Sequence, residues 1–167
     1  MSDRLLFQGT PQQYVTYVRN TLLSYERYFD GVQKAIGNAE LDRLERNLYS
    51  YSLNGLKFYH PGEDISADEH HLFFRNGSFL MMNQTFHYSS RSAGCTLLNG
   101  NISFIHVVDR KVKYLFRYDT VEDIPEHPNH HLQFSFDRTI ETPRFAIPTC
   151  GKIDDVLQML IRDRIVE

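Results

Sequence analysis

The dipeptide Asn76-Gly77 lies between two apolar runs, HHLFFR at 70–75 and SFLMMNQTF at 78–86, and constrains the fold more than any other feature. Asn-Gly is the preferred centre of a two-residue type I′ turn, because both central positions need positive φ and few residues take it readily. The chain is therefore expected to fold back here as an antiparallel hairpin. A two-residue loop pairs Arg75 with Ser78, which sets Phe74 opposite Phe79 and Leu72 opposite Met81 on one face, and Phe73 opposite Leu80 on the other. Both faces are apolar, so both are expected to be covered.

A second hairpin follows from Ile102–Val108 and Lys111–Tyr118, turning at Asp109-Arg110. If its loop also has two residues, Ile105, Val107, Val112, Tyr114 and Phe116 line one apolar face. His106, Lys113 and Arg117 then share the other face with Phe104 and Leu115, concentrating cations there. Leu132–Phe136 is a further short strand candidate, and Leu5–Phe7 a possible first strand.

Helical periodicity brackets this strand-rich middle. Thr10-Pro11 is a helix opening, since Thr caps free N–H groups and proline at the first helical position has none to leave unsatisfied. Tyr14, Val15, Val18, Leu22, Tyr25 and Phe29 form one apolar stripe over about Gln12 to Phe29, with Asp30-Gly31 as the stop. Leu41, Leu44 and Leu48 suggest a second helix from Ala39 to Tyr49. Ile153, Val156, Leu157, Leu160, Ile161 and Ile165 mark a terminal helix, with Asp154 and Asp155 at its positive end and Arg162 and Arg164 at its negative end. The expected class is α+β: two N-terminal helices, an antiparallel meander sheet and a short C-terminal helix. These form a single domain over 1–167, helical over 1–50 and sheet plus helix over 53–165.

With 167 residues and 41% hydrophobic content, one ordinary core is affordable and two are not. Eighteen Lys and Arg against 21 Asp and Glu leave a formal charge of −3, so no broad field draws the chain onto nucleic acid or acidic membrane. Any RNA contact must come from a local patch. Cys95 and Cys150 form no CxxC pair, which fits a reducing cytoplasm, with a single long-range disulfide still open. The N-terminus lacks the apolar run of a signal peptide, and no segment approaches the roughly 20 apolar residues of a spanning helix.

The chemistry concentrates in YLFRYDTVEDIPEHPNHH at 114–131, where a strand delivers Arg117, Tyr118 and Asp119 into a loop closing on His127, His130 and His131. RNA cleavage without a metal needs a base for the 2′-OH, an acid for the leaving oxygen and a donor for the developing phosphate charge. His127, His130 or His131 supply the first two, and Arg117 the third, because its fork matches phosphate oxygens. Asp119 orients an imidazole. Tyr118 stacks on a base or donates a hydrogen bond, and Lys113 and His106 extend the substrate-binding face. A competing metal reading rests on the HxxHH spacing, completed by His106 or the His70-His71 pair. Against it, adjacent strand residues point to opposite faces, which separates His130 from His131. A third reading is a non-catalytic metal- or partner-binding domain. No cofactor is expected.

The segments FRNGSFLMM at 74–82, LFRYD at 115–119, HPNHH at 127–131 and IDDVLQML at 153–160 resemble the TumE-like toxin–antitoxin proteins, over roughly Leu53 to Arg162. The chain departs from that pattern at Val121-Glu122-Asp123-Ile124, where the family carries a His pair, and at Gln133, where it carries a further His. The resemblance implies a toxin role directed at RNA and a neutralising antitoxin partner, for which a helix-turn-helix protein is the candidate. It leaves open whether the chain self-associates. The helix pair and meander are also similar to the RelE-like ribonuclease toxins, in which helices pack on one face of the sheet and RNA meets the other, an analogy of fold alone.

Overall fold

Alternation of side chains along the central strands decides the architecture. In Asn101-Ile102-Ser103-Phe104 the apolar residues are buried to 1% exposure or less and point one way, while Asn101 and Ser103 point the other. The computed structural model describes residues 3–53, 57–66, 71–122, 124–137, 139 and 142–167; His70 of the first hairpin and Asp123 lie outside them. The strands are β1 (Leu5–Gln8), β2 (Phe29–Asp30), β3 (Glu40–Glu45), β4 (Leu48–Leu53), β5 (Leu72–Phe74), β6 (Phe79–Ser89), β7 (Gly94–Val108), β8 (Lys111–Thr120), β9 (His130–Ser135) and β10 (Arg144–Ala146). The α-helices are α1 (Pro11–Ser24), α2 (Val32–Gly37) and α3 (Ile153–Arg162).

All these strands join one antiparallel sheet, in the order β10-β9-β8-β7-β6-β4-β3. Strands β6 and β7 are long enough to pair with two neighbours along one edge. β7 takes β8 at its C-terminal part and β1 at Gly94–Thr96, while β6 takes β4 and β5, with β2 beyond β5. At Gly100 a Cβ would lie 2.4 Å from the Asn83 carbonyl oxygen, so a side chain there would force β6 and β7 apart.

One face of the sheet is covered by helices. Tyr14, Val18 and Leu22 from α1, Val32 and Ala35 from α2, and Ile153, Val156, Leu157 and Leu160 from α3 pack with Phe74, Phe86, Phe104 and Phe116. Full burial of each large apolar side chain contributes roughly 1.5–3 kcal/mol. On the opposite face a smaller cluster of Phe79, Met81, Ile105, Val107, Val112 and Leu115 is closed by Tyr59 and Ile65. Both faces are thus covered near the hairpin tips, as expected, but the second face is open and polar elsewhere. No described helix is long and apolar enough to cross a membrane.

The α+β class and the large antiparallel sheet match expectation; the second helix does not. Residues 39–49 form the β3–β4 hairpin, turning at Arg46-Asn47, where the Asn47 N–H donates to the Glu45 carbonyl at 2.9 Å. The leucine spacing resembled a helix, but Tyr49, Tyr51 and Leu53 alternate with Ser50 and Ser52 and pair with the long edge of β6. Strand pairing that buries Tyr51 and Leu53 outweighs a weak local helical preference. The second helix is instead α2, one short segment earlier. The first helix opens at Thr10-Pro11 as expected, with a capping box in which the Gln13 N–H donates to Thr10 Oγ1 and the Thr10 N–H to Gln13 Oε1. It ends at Ser24 rather than Phe29, because Phe29 leaves to stack on Phe74 at 4.6 Å as part of β2.

Register differs from expectation in both hairpins, each by one residue. At Asn76-Gly77 the Phe74 N–H donates to the Ser78 carbonyl and the Gly77 N–H to the Phe74 carbonyl, with only Gly77 at positive φ (83°). This three-residue loop pairs Phe73 with Phe79 and Leu72 with Leu80. At Asp109-Arg110 the loop does have two residues, both at positive φ, but a bulge between His106 and Val107 shifts the pairing beyond it. Ile105 now faces Leu115 and His106 faces Tyr114. Tyr114 and Phe116 join the helix-covered core together with Phe104, while Leu115 joins Ile105 and Val112 on the second face.

Candidate functional site

The open half of the second face is built from cross-strand rows. Register places His131, Asp119, Asn101, Asn83 and Ser52 in one row across β9, β8, β7, β6 and β4. The adjoining row carries Arg144, Gln133, Arg117, Ser103 and Met81. Along β4, β6 and β7 these polar residues alternate with apolar ones turned toward the helices, among them Leu53, Met82 and Ile102.

Arg117, on β8, is the centre of this surface. Its Nη2 lies 3.3 Å from Asp119 Oδ2 and donates to Gln133 Oε1 at 2.7 Å. Asp119 Oδ2 also lies 3.4 Å from His131 Nε2, and His131 Nδ1 lies 3.2 Å from the Pro128 carbonyl. The His127 ring stands edge-on to His131 with centroids 4.6 Å apart, and its Nδ1 reaches the same Pro128 carbonyl at 3.1 Å. The HPNHH loop thus threads two imidazoles back toward the strand that bears Arg117. Burial grades along this chain: the side chains of His131, Asp119 and Arg117 are 1%, 12% and 26% exposed.

Desolvation pushes the Asp119 carboxyl up from its ordinary value, against the opposing pull of Arg117, His131 and His127. It likewise pushes the His131 imidazole down, against the Pro128 carbonyl and Asp119. Burial therefore disfavours the charged form of each, and with it a full ion pair between Asp119 and His131. Arg117 Nε is buried and has no hydrogen-bond partner among the described residues.

On its other side Arg117 lines a partly enclosed cavity of about 20 Å³ with Lys57, Tyr59, Asn83, Asn101 and Ser103, over an apolar floor of Met81, Ile105 and Leu115. Lys57 Nζ sits 4.5 Å from the Tyr59 ring centroid, and Ser103 Oγ donates to Asn101 Oδ1 at 3.2 Å. A wider hollow bounded by Ser50, Thr85, Asn99 and Asn101 continues the same polar face.

Of the residues singled out from the sequence, Arg117, Asp119, His127 and His131 come together; His130, Tyr118, His106 and Lys113 do not join them. His130 lies on the helix-covered face, where Nδ1 meets Thr120 Oγ1 at 2.9 Å and Nε2 stands 3.4 Å from Asp3 Oδ2. Its side chain is 3% exposed, and desolvation depresses its pKa. Tyr118 packs against Phe116 and Gly151 on that same face. His106 stacks on Tyr114 at 4.6 Å and its Nδ1 meets Ser78 Oγ at 3.1 Å; the extra β8 residue opposite it, Lys113, puts Arg117 on the other face of the sheet. Lys113 lies four residues along β8 from Arg117, about 13 Å at the rise of a strand, beside Lys111 and Phe136. Among the described residues no group of three or more His, Cys, Asp or Glu side chains is arranged to hold a metal ion.

Gln133, Asn83, Asn101, Ser103 and Lys57 were missed. Gln133 belongs to no motif in the sequence, yet its Oε1 accepts a 2.7 Å hydrogen bond from Arg117. Polar residues alternating with apolar ones in Asn101-Ile102-Ser103-Phe104 were the available signal for the face. Lys57 had none, since it reaches the cavity from outside the described strands. Both cysteines are buried and form no disulfide; desolvation raises Cys95 to about 11 and Cys150 in the same direction, which suits neither to act as a nucleophile. Comparison with protein families, with characterised proteins and with solved structures finds no match to this chain.

Proposed function

We propose that this protein is a cytoplasmic toxin of the TumE-like kind, a ribonuclease that cleaves RNA without a metal at the polar face around Arg117 and is restrained by an antitoxin partner. The observation that carries the reading is the convergence of Arg117, Asp119, His131 and His127 on the sheet face that no described helix covers. Arg117 donates to the phosphate as negative charge builds on its oxygens. Asp119 and Gln133 hold the guanidinium in place, and His131, too buried to meet substrate, positions Asp119 and backs the His127 ring. His127, the half-buried member of the pair, takes the proton of the 2′-OH as the 2′ oxygen attacks phosphorus. The bond from phosphorus to the 5′ oxygen breaks, that oxygen takes a proton from solvent, and a 2′,3′-cyclic phosphate remains.

The test is incubation of the purified protein with RNA in excess chelator, with end-group analysis of the fragments. Cleavage leaving 2′,3′-cyclic ends, lost in Arg117→Ala and His127→Ala, supports the reading. Intact RNA, or cleavage unchanged in both variants, overturns it.

A second reading, a non-catalytic domain that docks a protein partner, is favoured by Phe134, Phe136 and Phe145, which are 37%, 60% and 53% exposed beside the edge strand β10. An open edge flanked by aromatic rings suits pairing with a partner's strand, and the antitoxin of the first reading would bind there as well. Partner capture with no effect on RNA would favour this alternative.

A further inference from the structure

We infer that β10 is a self-association edge, on which a second copy of this chain adds its own β10 antiparallel, across a two-fold axis through Phe145. The two edges of the sheet meet solvent differently. On β3, Glu40, Asp42, Arg43 and Glu45 are exposed and the pairing with β4 slips between Arg43 and Glu45; charge and irregularity both discourage a further strand. β10 carries one charge, Arg144, its pairing with β9 is regular, and all three of its residues are exposed. On the helix side an aromatic row runs from the core out to this edge. Phe116 is buried, Phe134 is 37% exposed with its ring centroid 5.6 Å from that of Phe116, and Phe145 is 53% exposed with its centroid 6.5 Å from that of Phe134. The last two rings lie outside the helix-packed core.

Backbone parity fixes the register. The Ile147 N–H donates to the His130 carbonyl at 3.0 Å and Phe145 pairs with Leu132, so odd residues bond β9 and the N–H and C=O groups of Arg144 and Ala146 point outward. Among the described residues no strand lies beyond β10. A second copy meets these groups when Arg144 lies opposite Ala146 of the second copy and Ala146 opposite Arg144 of the second copy, each pair exchanging both backbone bonds. Phe145 then faces Phe145 of the second copy in the non-hydrogen-bonded pair, where side chains come closest, and no arginine faces an arginine. Pro148, next in the outward series, has no N–H to give, so the contact closes as a pair instead of extending. The edge is complementary to itself, which selects a second copy of the chain as its occupant. On the polar face the row of Asp119, His131 and Ala146 continues into Arg144 of the second copy, about 10 Å from His131 at two strand spacings. The rings and backbone edge of each copy offer roughly a few hundred Å² for burial, so the dimer is weak, with a dissociation constant on the order of 100 μM. It does not rest on the ribonuclease reading, and it occupies the edge that a foreign strand would take.

Sedimentation of the purified full chain from about 10 μM to 1 mM, with amide hydrogen exchange followed by NMR over the same range, tests the dimer. A monomer–dimer equilibrium is expected, with exchange at the Arg144 and Ala146 N–H slowed about fivefold at the highest concentration and exchange at Phe145, bonded within its own sheet, unchanged. Ala146→Pro removes only an outward N–H and should weaken the dimer about tenfold or more with melting temperature unchanged, as should Phe145→Ser, while Leu44→Ser on β3 leaves the dimer as it is. Phe145→Cys should link to itself under mild oxidation, and Ala146→Cys should not. A monomer at every concentration overturns the proposal, as does a dimer that survives both Ala146→Pro and Phe145→Ser, or one lost in Leu44→Ser, which moves the contact to β3. Protection of Arg144 and Ala146 that appears only after a different protein is added gives the edge to that protein and overturns it too. RNA cleavage by a chain that never dimerises leaves the ribonuclease reading standing and removes this proposal; a dimer without cleavage does the reverse.

Discussion

His130 and His131 are neighbours in the chain and occupy opposite sides of the sheet. His130 points among the helices, where Thr120 and Asp3 hold it, while His131 points to the polar face, where Asp119 and the Pro128 carbonyl hold it. Both are nearly inaccessible, yet only the second connects to a cation that lines a cavity. The same division runs across the whole sheet. Phenylalanines 74, 86, 104 and 116 fill the helix-covered face, and Asn83, Asn101, Ser103 and Arg117 occupy the other. The larger core lies on one side and the polar cluster around Arg117 on the other, so substitutions on the two faces should separate in what they damage.

The largest expected effect lies on the helix-covered face. Phe104→Ala should cost about 3–5 kcal/mol of unfolding free energy, read from denaturant midpoints, because the cavity it leaves is walled by the sheet and by neighbouring aromatic rings. A cost below about 1 kcal/mol would mean the helices do not pack there as described. On the polar face Arg117→Lys keeps the charge and loses the fork, so RNA cleavage should fall about a hundredfold with stability changed by less than about 1 kcal/mol. Equal loss of folding would break the division between the faces.

The two histidines sharpen it further. His130→Asn should destabilise by about 1–2 kcal/mol, through loss of the buried bond to Thr120, and leave cleavage by folded protein unaltered. His131→Asn should lower cleavage about tenfold and move its pH profile, because Asp119 loses the group that positions it. Reversal of the two outcomes would place the chemistry on the wrong face.

The smallest effect is in pH. His106, His130 and His131 all have pKa values depressed by burial, so the native state holds them neutral. The unfolded chain binds protons at these positions first, below about pH 6.5. Their contribution is therefore present above that pH and is lost as pH falls through the depressed native values. The raised Asp119 carboxyl acts with the opposite sign and in a lower window: its contribution is full at acid pH and disappears as pH rises through its native value. Melting temperature should decline from neutral toward about pH 5, and less steeply in His130→Asn, where one of the three depressed histidines is gone.

Much of the fold was legible locally. The capping residues around Thr10-Pro11 start the first helix, the apolar stripe of Ile153 to Leu160 builds the last, and turn residues mark both hairpins. The helix expected at 39–49 failed because three leucines are too few to fix a helical period, and pairing of the alternating Tyr49 to Leu53 run with the edge of β6 decided the segment. Within the site, the cluster at 117–131 was visible, and the separation of His130 from His131 follows from strand geometry itself. Gln133 and Lys57 carried no local mark of a role.

By itself the sequence determined the start of the first helix, the stripe of the last and the turns of two hairpins, since capping, turn preference and side-chain period act within a few residues. Which groups meet across strands was decided only by tertiary structure. One extra residue in β8, Lys113, opposite the His106–Val107 step reverses the face of every β8 residue beyond it, and that bulge is set by packing against both cores. It is why Arg117 faces Ser103, Asn101 and the cavity, while His106 turns toward the helices.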